Sequence, residues 1–112
     1  MKIGFVSQKL QKIFNSENEL KKEYGAVRAK KIKLRMKVLE AAVSLAEVSH
    51  EKPERRHQLK GDRKEQFAVD LEHPFRLIFK PDSKPALLPD GGIDLKLVNG
   101  IIILSVENYH DD

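Results

Sequence analysis

Cysteine and tryptophan are absent from this chain of 112 residues, and aromatic residues make up only 6% of it. Without cysteine there is no disulfide framework and no thiolate metal site. The opening segment MKIGFVSQKL holds no apolar run long enough for a signal peptide, and no segment is long and apolar enough to cross a bilayer. These absences fit a reducing cytosol, so we expect a cytoplasmic protein with no membrane partner.

Basic residues outnumber acidic ones by 21 to 17, and they are concentrated in two segments. These are Arg28–Lys37 (RAKKIKLRMK) and Arg55–Lys64 (RRHQLKGDRK). Two basic clusters on a small domain favour a polyanion partner, most simply nucleic acid. The RNA-binding residues in this interpretation are Lys30, Lys33, Lys37, Arg55, Arg56 and Arg63. The alternative is that the clusters are only a solvated helix face and a solvated loop.

The first half of the chain has helical periodicity after a short strand over Lys2–Val6. An apolar stripe runs through Gln8–Tyr24, and Ser16 has the capping-box spacing of a helix that restarts there. Gly25 suits a helix C-cap, and a longer helix is expected over Ala26–Val48. The apolar side of this second helix covers more than half of its circumference, which predicts packing against two neighbours.

From Gln66 onward the apolar period changes to two, which is typical of strands. The segments QFAVDLE and FRLIFK, joined by His73-Pro74, predict an antiparallel hairpin. Asn99-Gly100 between IDLKLV and IIILSVEN predicts a second hairpin, with positive φ at Gly100. The unbroken run Ile101–Leu104 indicates a central strand. Two helices on one face of a small antiparallel sheet define an α+β fold, with residues 1–112 in a single domain.

Histidine and tyrosine are scarce, yet His57 lies in a basic segment and Tyr109-His110 ends the last strand. Metal-free RNA cleavage needs a base for the ribose 2′-OH, cations for a phosphorane-like transition state and an acid for the leaving 5′-oxygen. Histidines suit the acid and base roles. Lys60 and Arg76 suit the positive clamp, and Tyr109 suits base stacking or proton transfer. Neither histidine has the spaced partners of a metal site, so no cofactor is expected.

The same residues also have purely structural interpretations. His57 could be an exposed loop residue, and Tyr109 could close the end of the core. Strand parity puts Arg76 on the face opposite the three large apolar residues of its strand, where it could pair with Asp70 or Glu72. Composition and periodicity alone do not choose between these interpretations.

Taken in order, the motifs resemble those of a known toxin family. The chain has a short strand, YG between two helices, H-x-L-K-G-D-R, a FAVDL strand, H-P-F-R-L-I-F-x-P and a last strand ending in Y-H. This series is similar to the HigB-type toxins, the killer proteins of plasmid maintenance systems, within the RelE/ParE superfamily. The similarity extends from Phe5 to His110, and the pair HQLKGDR and HPFRLIFKP carries most of its specificity.

The resemblance implies a RelE-like fold and an endoribonuclease that cuts messenger RNA in the ribosomal A site without a metal. It also implies a HigA-like helix-turn-helix antitoxin as partner, through which alone DNA would be contacted. The family's catalytic positions correspond to His57, Lys60, Arg76, Tyr109 and His110. Asn108 stands where the family usually has Asp, so a charge that could orient the neighbouring histidine is missing. The alternatives are a relative that poisons gyrase without cutting RNA and a degenerate toxin that only binds its antitoxin.

Overall fold

Helices and strands are segregated along the chain in the computed structural model, which describes residues 1–108. The strands of the described part are β1 (Lys2–Phe5), β2 (His57–Gln58), β3 (Phe67–Asp70), β4 (Phe75–Pro81) and β5 (Gly100–Asn108). Its α-helices are α1 (Gln8–Phe14), α2 (Glu17–Tyr24) and α3 (Ala26–Ala41). The predicted α+β class is therefore confirmed.

The strands form one sheet in the order β1-β5-β4-β3-β2. The β3–β4 hairpin is confirmed, with Phe67 opposite Phe79 and Asp70 opposite Arg76. The central position predicted for the last strand is also confirmed, because β5 lies between β1 and β4. The prediction of a wholly antiparallel sheet is wrong, since β1 runs parallel to β5 and makes the sheet mixed.

The predicted restart of the first helix is confirmed, so three helices stand where two were counted. The Ser7 hydroxyl accepts a hydrogen bond from the Leu10 N–H at 3.1 Å and begins α1. The Ser16 hydroxyl accepts one from the Glu19 N–H at 3.2 Å and begins α2. Each cap satisfies an N–H group that the first turn of a helix leaves without a partner. Gly25, at φ 83°, ends α2 as expected.

Helix α3 ends at Ala41, seven residues before the predicted end at Val48. The chain turns away at Ala42, whose ψ is 139°, and the Leu45 N–H then donates to the Val98 carbonyl at 2.9 Å. This path buries Leu45 and Val48 completely. The expected breadth of the apolar side is also wrong, because Leu34 is 43% exposed while the charged Arg35 is buried.

The predicted hairpin at Asn99-Gly100 is absent from the described residues. Residues Leu95–Leu97 form a 3-10 turn, and β5 begins at Gly100 opposite Lys2 of the parallel strand β1. Gly100 lacks the positive φ that the hairpin would require. A side chain at this position would instead collide with the carboxylate of Asp82. The Asn-Gly pair therefore marks the entry into the central strand.

The main core lies between the helices and one face of the sheet. The largest of its fully buried side chains include Phe67, Phe79, Ile32, Leu39, Leu45, Leu77, Ile101 and Ile103. The opposite face carries a much smaller apolar cluster of Leu59, Ala68 and Ile78, against which Leu104 packs. We call this opposite side the helix-free face, and it is where the sheet can present polar side chains.

Candidate functional site

Strand register brings several of the predicted residues onto the helix-free face. Arg76 lies between Asp70 and Glu107 in one row across the sheet. His57 is opposite Ala68 in the neighbouring row. Directly opposed residues share a face, and successive residues alternate. His57 and Arg76 therefore lie on the same side, two strands and two residues apart, with their Cα atoms separated by about 12 Å on standard sheet spacings.

The carboxylate of Asp70 links the two predicted residues. Its Oδ2 accepts a hydrogen bond from Arg55 Nε at 2.8 Å, and its Oδ1 accepts one from Arg55 Nη2 at 3.1 Å. Arg76 Nε lies 2.9 Å from the same Oδ1. The pairing of Arg76 with Asp70 that strand parity allowed is thus present. One carboxylate holds two guanidinium groups, so positive charge accumulates on this face.

Arg76 is held by backbone carbonyls as well as by Asp70. Its Nη1 donates to the carbonyls of Pro74 and Phe75 at 3.1 and 3.3 Å. The residue is only 8% exposed. A third guanidinium approaches from α3, where Arg35 Nε donates to the Asp70 carbonyl at 2.6 Å. Arg76 is therefore fixed in position rather than extended into solvent.

His57 is connected to the same network through the main chain. Its Nδ1 lies 2.9 Å from the carbonyl oxygen of Arg55. Since a carbonyl can only accept, Nδ1 carries the proton and Nε2 holds the lone pair of the neutral ring. In this tautomer Nε2 is the ring nitrogen that accepts a proton, but Nε2 is buried in this structure, so a substrate hydroxyl reaches it only after neighbouring side chains move. A continuous series of contacts thus leads from His57 through Arg55 and Asp70 to Arg76.

The rest of the basic segment is tied to the end of β5. Arg63 donates from Nη1 and Nη2 to the two carboxylate oxygens of Glu107 at 3.0 and 2.9 Å. These hydrogen bonds lower the pKa of Glu107, and a hydrogen bond from the Ser105 hydroxyl acts in the same direction. Lys60 is exposed at the start of the turn Gly61–Arg63. The Arg63–Glu107 pair therefore holds the segment that carries His57 and Lys60 against the last strand.

The predicted RNA-binding residues fall into two groups. Arg55, Arg56 and Arg63 all make internal contacts; Arg56 Nε donates to the Val48 carbonyl at 2.8 Å, and burial lowers the pKa of Arg56. Lys30, Lys33 and Lys37 are exposed on α3, on the side of the helix layer that faces away from the sheet. Arg55 and Arg63 contact carboxylates of the helix-free face and so lie on the opposite side of the molecule from the three lysines. Binding of either group to RNA stays a prediction.

The structure describes only one of the three C-terminal residues of the predicted site. Asn108 is exposed and lies opposite Phe75, so it alternates with Glu107 and does not share the helix-free face. Tyr109 and His110 lie outside the described residues, and their roles stay predictions.

Sequence reasoning missed two residues of this network, Arg35 and Glu107, and it named Asp70 only as one of two possible partners of Arg76. The hairpin register around His73-Pro74 could have paired Asp70 with Arg76. Arg35 was detectable as a cation on the predicted apolar side of α3, three residues after Ile32. Glu107 is 44 residues from Arg63, so no local signal could have joined that pair.

The described residues hold no group of three or more His, Asp or Glu side chains that could bind a metal ion. None of their helices is both long enough and apolar enough to span a membrane. Comparison of the sequence with protein-family models and with curated proteins gave no match. The functional assignment therefore rests on the geometry of the helix-free face and on the motifs that the chain carries.

The Arg63–Glu107 pair predicts a specific pH dependence of stability. Because the pKa of Glu107 is held below its ordinary value of 4.5, the pair contributes fully above that value and is lost as pH falls through the lowered pKa. Urea unfolding should show Glu107→Gln slightly less stable than the parent at pH 7, with the difference disappearing in acid. The effect should be small, since both side chains are about one-third exposed. A difference that persists in acid would mean that the charge is not responsible.

Proposed function

We propose that this protein is a cytoplasmic HigB-type toxin of the RelE/ParE superfamily, a metal-independent endoribonuclease that cuts messenger RNA on the ribosome. The observation that carries the proposal is the contact series from His57 to Arg76 on the helix-free face. In the sequence, Tyr109 and His110 follow directly on β5, the strand that pairs with the Arg76 strand. The motif series HQLKGDR, HPFRLIFKP and Y-H supports the same assignment.

The proposed chemistry is cleavage by the neighbouring ribose hydroxyl. His57 Nε2 takes the 2′-OH proton, the 2′-oxygen attacks the phosphorus, and the bond from phosphorus to the 5′-oxygen breaks. His110 gives a proton to the leaving 5′-oxygen, so the proton count balances. Arg76 and Lys60 stabilise the negative charge that builds up on the phosphate oxygens. Tyr109 stacks on a base next to the scissile bond.

The paired state of Arg76 affects this mechanism. A phosphate that approaches Arg76 competes with the Asp70 carboxylate 2.9 Å from Nε. Arg55 also holds Asp70, with two hydrogen bonds, so the carboxylate stays neutralised when a bound phosphate shares the charge of Arg76. The pair therefore keeps Arg76 in a defined orientation and leaves a cationic surface for the transition state.

The proposal implies three partners: messenger RNA, the ribosome and a HigA-like antitoxin with a helix-turn-helix domain. DNA would be contacted only through that antitoxin. Mapping of transcript 5′ ends after brief induction tests the activity, with His57→Gln as the comparison because glutamine keeps polarity but cannot act as a base. New ends inside codons are expected for the parent protein and should decrease by about a hundredfold in the variant.

The second candidate is a toxin of the same fold that acts by binding alone. The observation that favours it is the low exposure of Arg76, which is 8%, together with its ion pair to Asp70. Growth arrest with intact transcripts and a DNA-damage response would select a gyrase-poisoning protein. A stable antitoxin complex without growth arrest would select a degenerate toxin.

A further inference from the structure

The outward side of α3 combines a row of lysines with exposed apolar side chains. Lys30, Lys33 and Lys37 are all exposed. Val27 is 65% exposed and Leu34 is 43% exposed. Seven residues are almost two helical turns, so Val27 and Leu34 lie on one line about 10 Å apart, beside the lysine row. Two exposed apolar residues one heptad apart, flanked by lysines, are anchors of the kind that a second helix can cover.

A groove of about 380 Å³ runs between α2 and α3 next to this surface. Its walls include Lys21 of α2 and Lys30, Lys33, Leu34 and Lys37 of α3. One carboxylate already occupies the cationic wall, because Glu17 Oε1 lies 3.0 Å from Lys33 Nζ and 3.8 Å from Lys21 Nζ. The Lys33 hydrogen bond and the two charges lower the pKa of Glu17. The groove thus holds one carboxylate of the chain itself between two lysines, beside an apolar surface.

We propose that this surface, formed by α3 and the α2–α3 groove, docks an acidic amphipathic helix of a partner protein. The apolar side chains of that helix would cover Val27 and Leu34, and its carboxylates would meet Lys30 and Lys37. The surface lies on the opposite side of the molecule from Arg76. The inference is therefore independent of the proposed nuclease activity and holds or fails separately.

Single-stranded RNA is the competing occupant, since the lysine row was predicted from the sequence to bind it. Proteins that bind single strands combine cations with aromatic side chains on which bases stack. The groove lining lies entirely within the described residues and contains no aromatic side chain. Phosphate contacts would also leave Val27 and Leu34 exposed. The exposed apolar pair therefore favours a helix.

The test is an NMR titration of the isotope-labelled full chain with a synthetic helical peptide of about 21 residues, or three heptads. The peptide carries leucine at the seam positions and glutamate at the flanking positions; a control peptide carries lysine in place of glutamate. Shifts confined to α2 and α3 are expected with the acidic peptide. Leu34→Ser should weaken binding by about tenfold or more, because an apolar contact is lost. Leu97→Ser is the matched control, since Leu97 is 63% exposed elsewhere on the surface, and it should bind like the parent.

The double variant Lys30→Glu/Lys37→Glu tests the contribution of charge to binding. It should lose affinity for the acidic peptide and gain affinity for the lysine peptide. All variants change exposed positions, and unchanged Tm values will verify their folding. Two results overturn the inference. One is a set of peptide shifts on the helix-free face. The other is binding that the charge variant alone abolishes, for the acidic peptide and for a single-stranded RNA alike, while Leu34→Ser has no effect. That second result would assign the surface to nucleic acid.

Discussion

Replacement of Arg76 by alanine is expected to abolish growth inhibition and to slow RNA cleavage on the ribosome by about a hundred- to a thousandfold. The loss of one preorganised donor to a transition state corresponds to about 2.7–4 kcal/mol. The substitution also removes one of the two guanidinium groups on Asp70, so some stability will be lost as well. Cleavage must therefore be measured on folded protein, with circular dichroism and antitoxin binding recorded for each sample.

Arg28→Ala is the matched control for this experiment. Arg28 pairs with Glu72 at 3.1 Å, and its guanidinium carbon lies 3.3 Å from the centroid of the Phe75 ring, on the helix side of the sheet. Its loss should lower stability by a similar amount and leave cleavage unchanged. If Arg76→Ala retains full toxicity, Arg76 has only its structural role with Asp70, and the binding-only interpretation gains weight.

Phe79→Ala should produce the largest loss of stability, about 3–5 kcal/mol. Phe79 is completely buried in β4, and its ring stacks on that of Phe67 with centroids 6.1 Å apart. Truncation removes this contact and leaves a cavity that the sheet backbone cannot close. Because small domains have only about 5–15 kcal/mol of stability, this substitution should remove a large fraction of the total.

Urea unfolding followed by circular dichroism measures this loss, with Leu97→Ala as the control. Leu97 is 63% exposed, so its truncation should change stability by no more than about 0.5 kcal/mol. A small effect of Phe79→Ala would mean that the helices do not pack on the β4 face as described. Such a result would also weaken the assignment of Arg76 to the opposite, helix-free face.

Part of the candidate site followed from the sequence because strand parity is a local property. The alternation in FRLIFK predicted correctly that Arg76 points away from Phe75, Leu77 and Phe79. The contact of Arg76 with Asp70 was only one of several open alternatives. This contact depends on which residues the hairpin turn places opposite each other. The same carboxylate is also bound by Arg55, which lies outside the hairpin. The geometry of Tyr109 and His110 stays a prediction.

The sequence by itself determined the structural elements whose defining contacts are made with residues nearby in the chain. Ser7 and Ser16 begin α1 and α2 through hydrogen bonds to N–H groups three residues ahead. The period of two across β3 and β4 determined their faces. Only the tertiary structure decided the features that depend on distant residues. Helix α3 ends at Ala41, and the chain that turns away there buries Leu45 and Val48 completely in the core, which favours this path. The chain enters β5 at Gly100 because Lys2, 98 residues earlier, lies opposite it. The Arg63–Glu107 pair likewise forms only once the sheet has assembled.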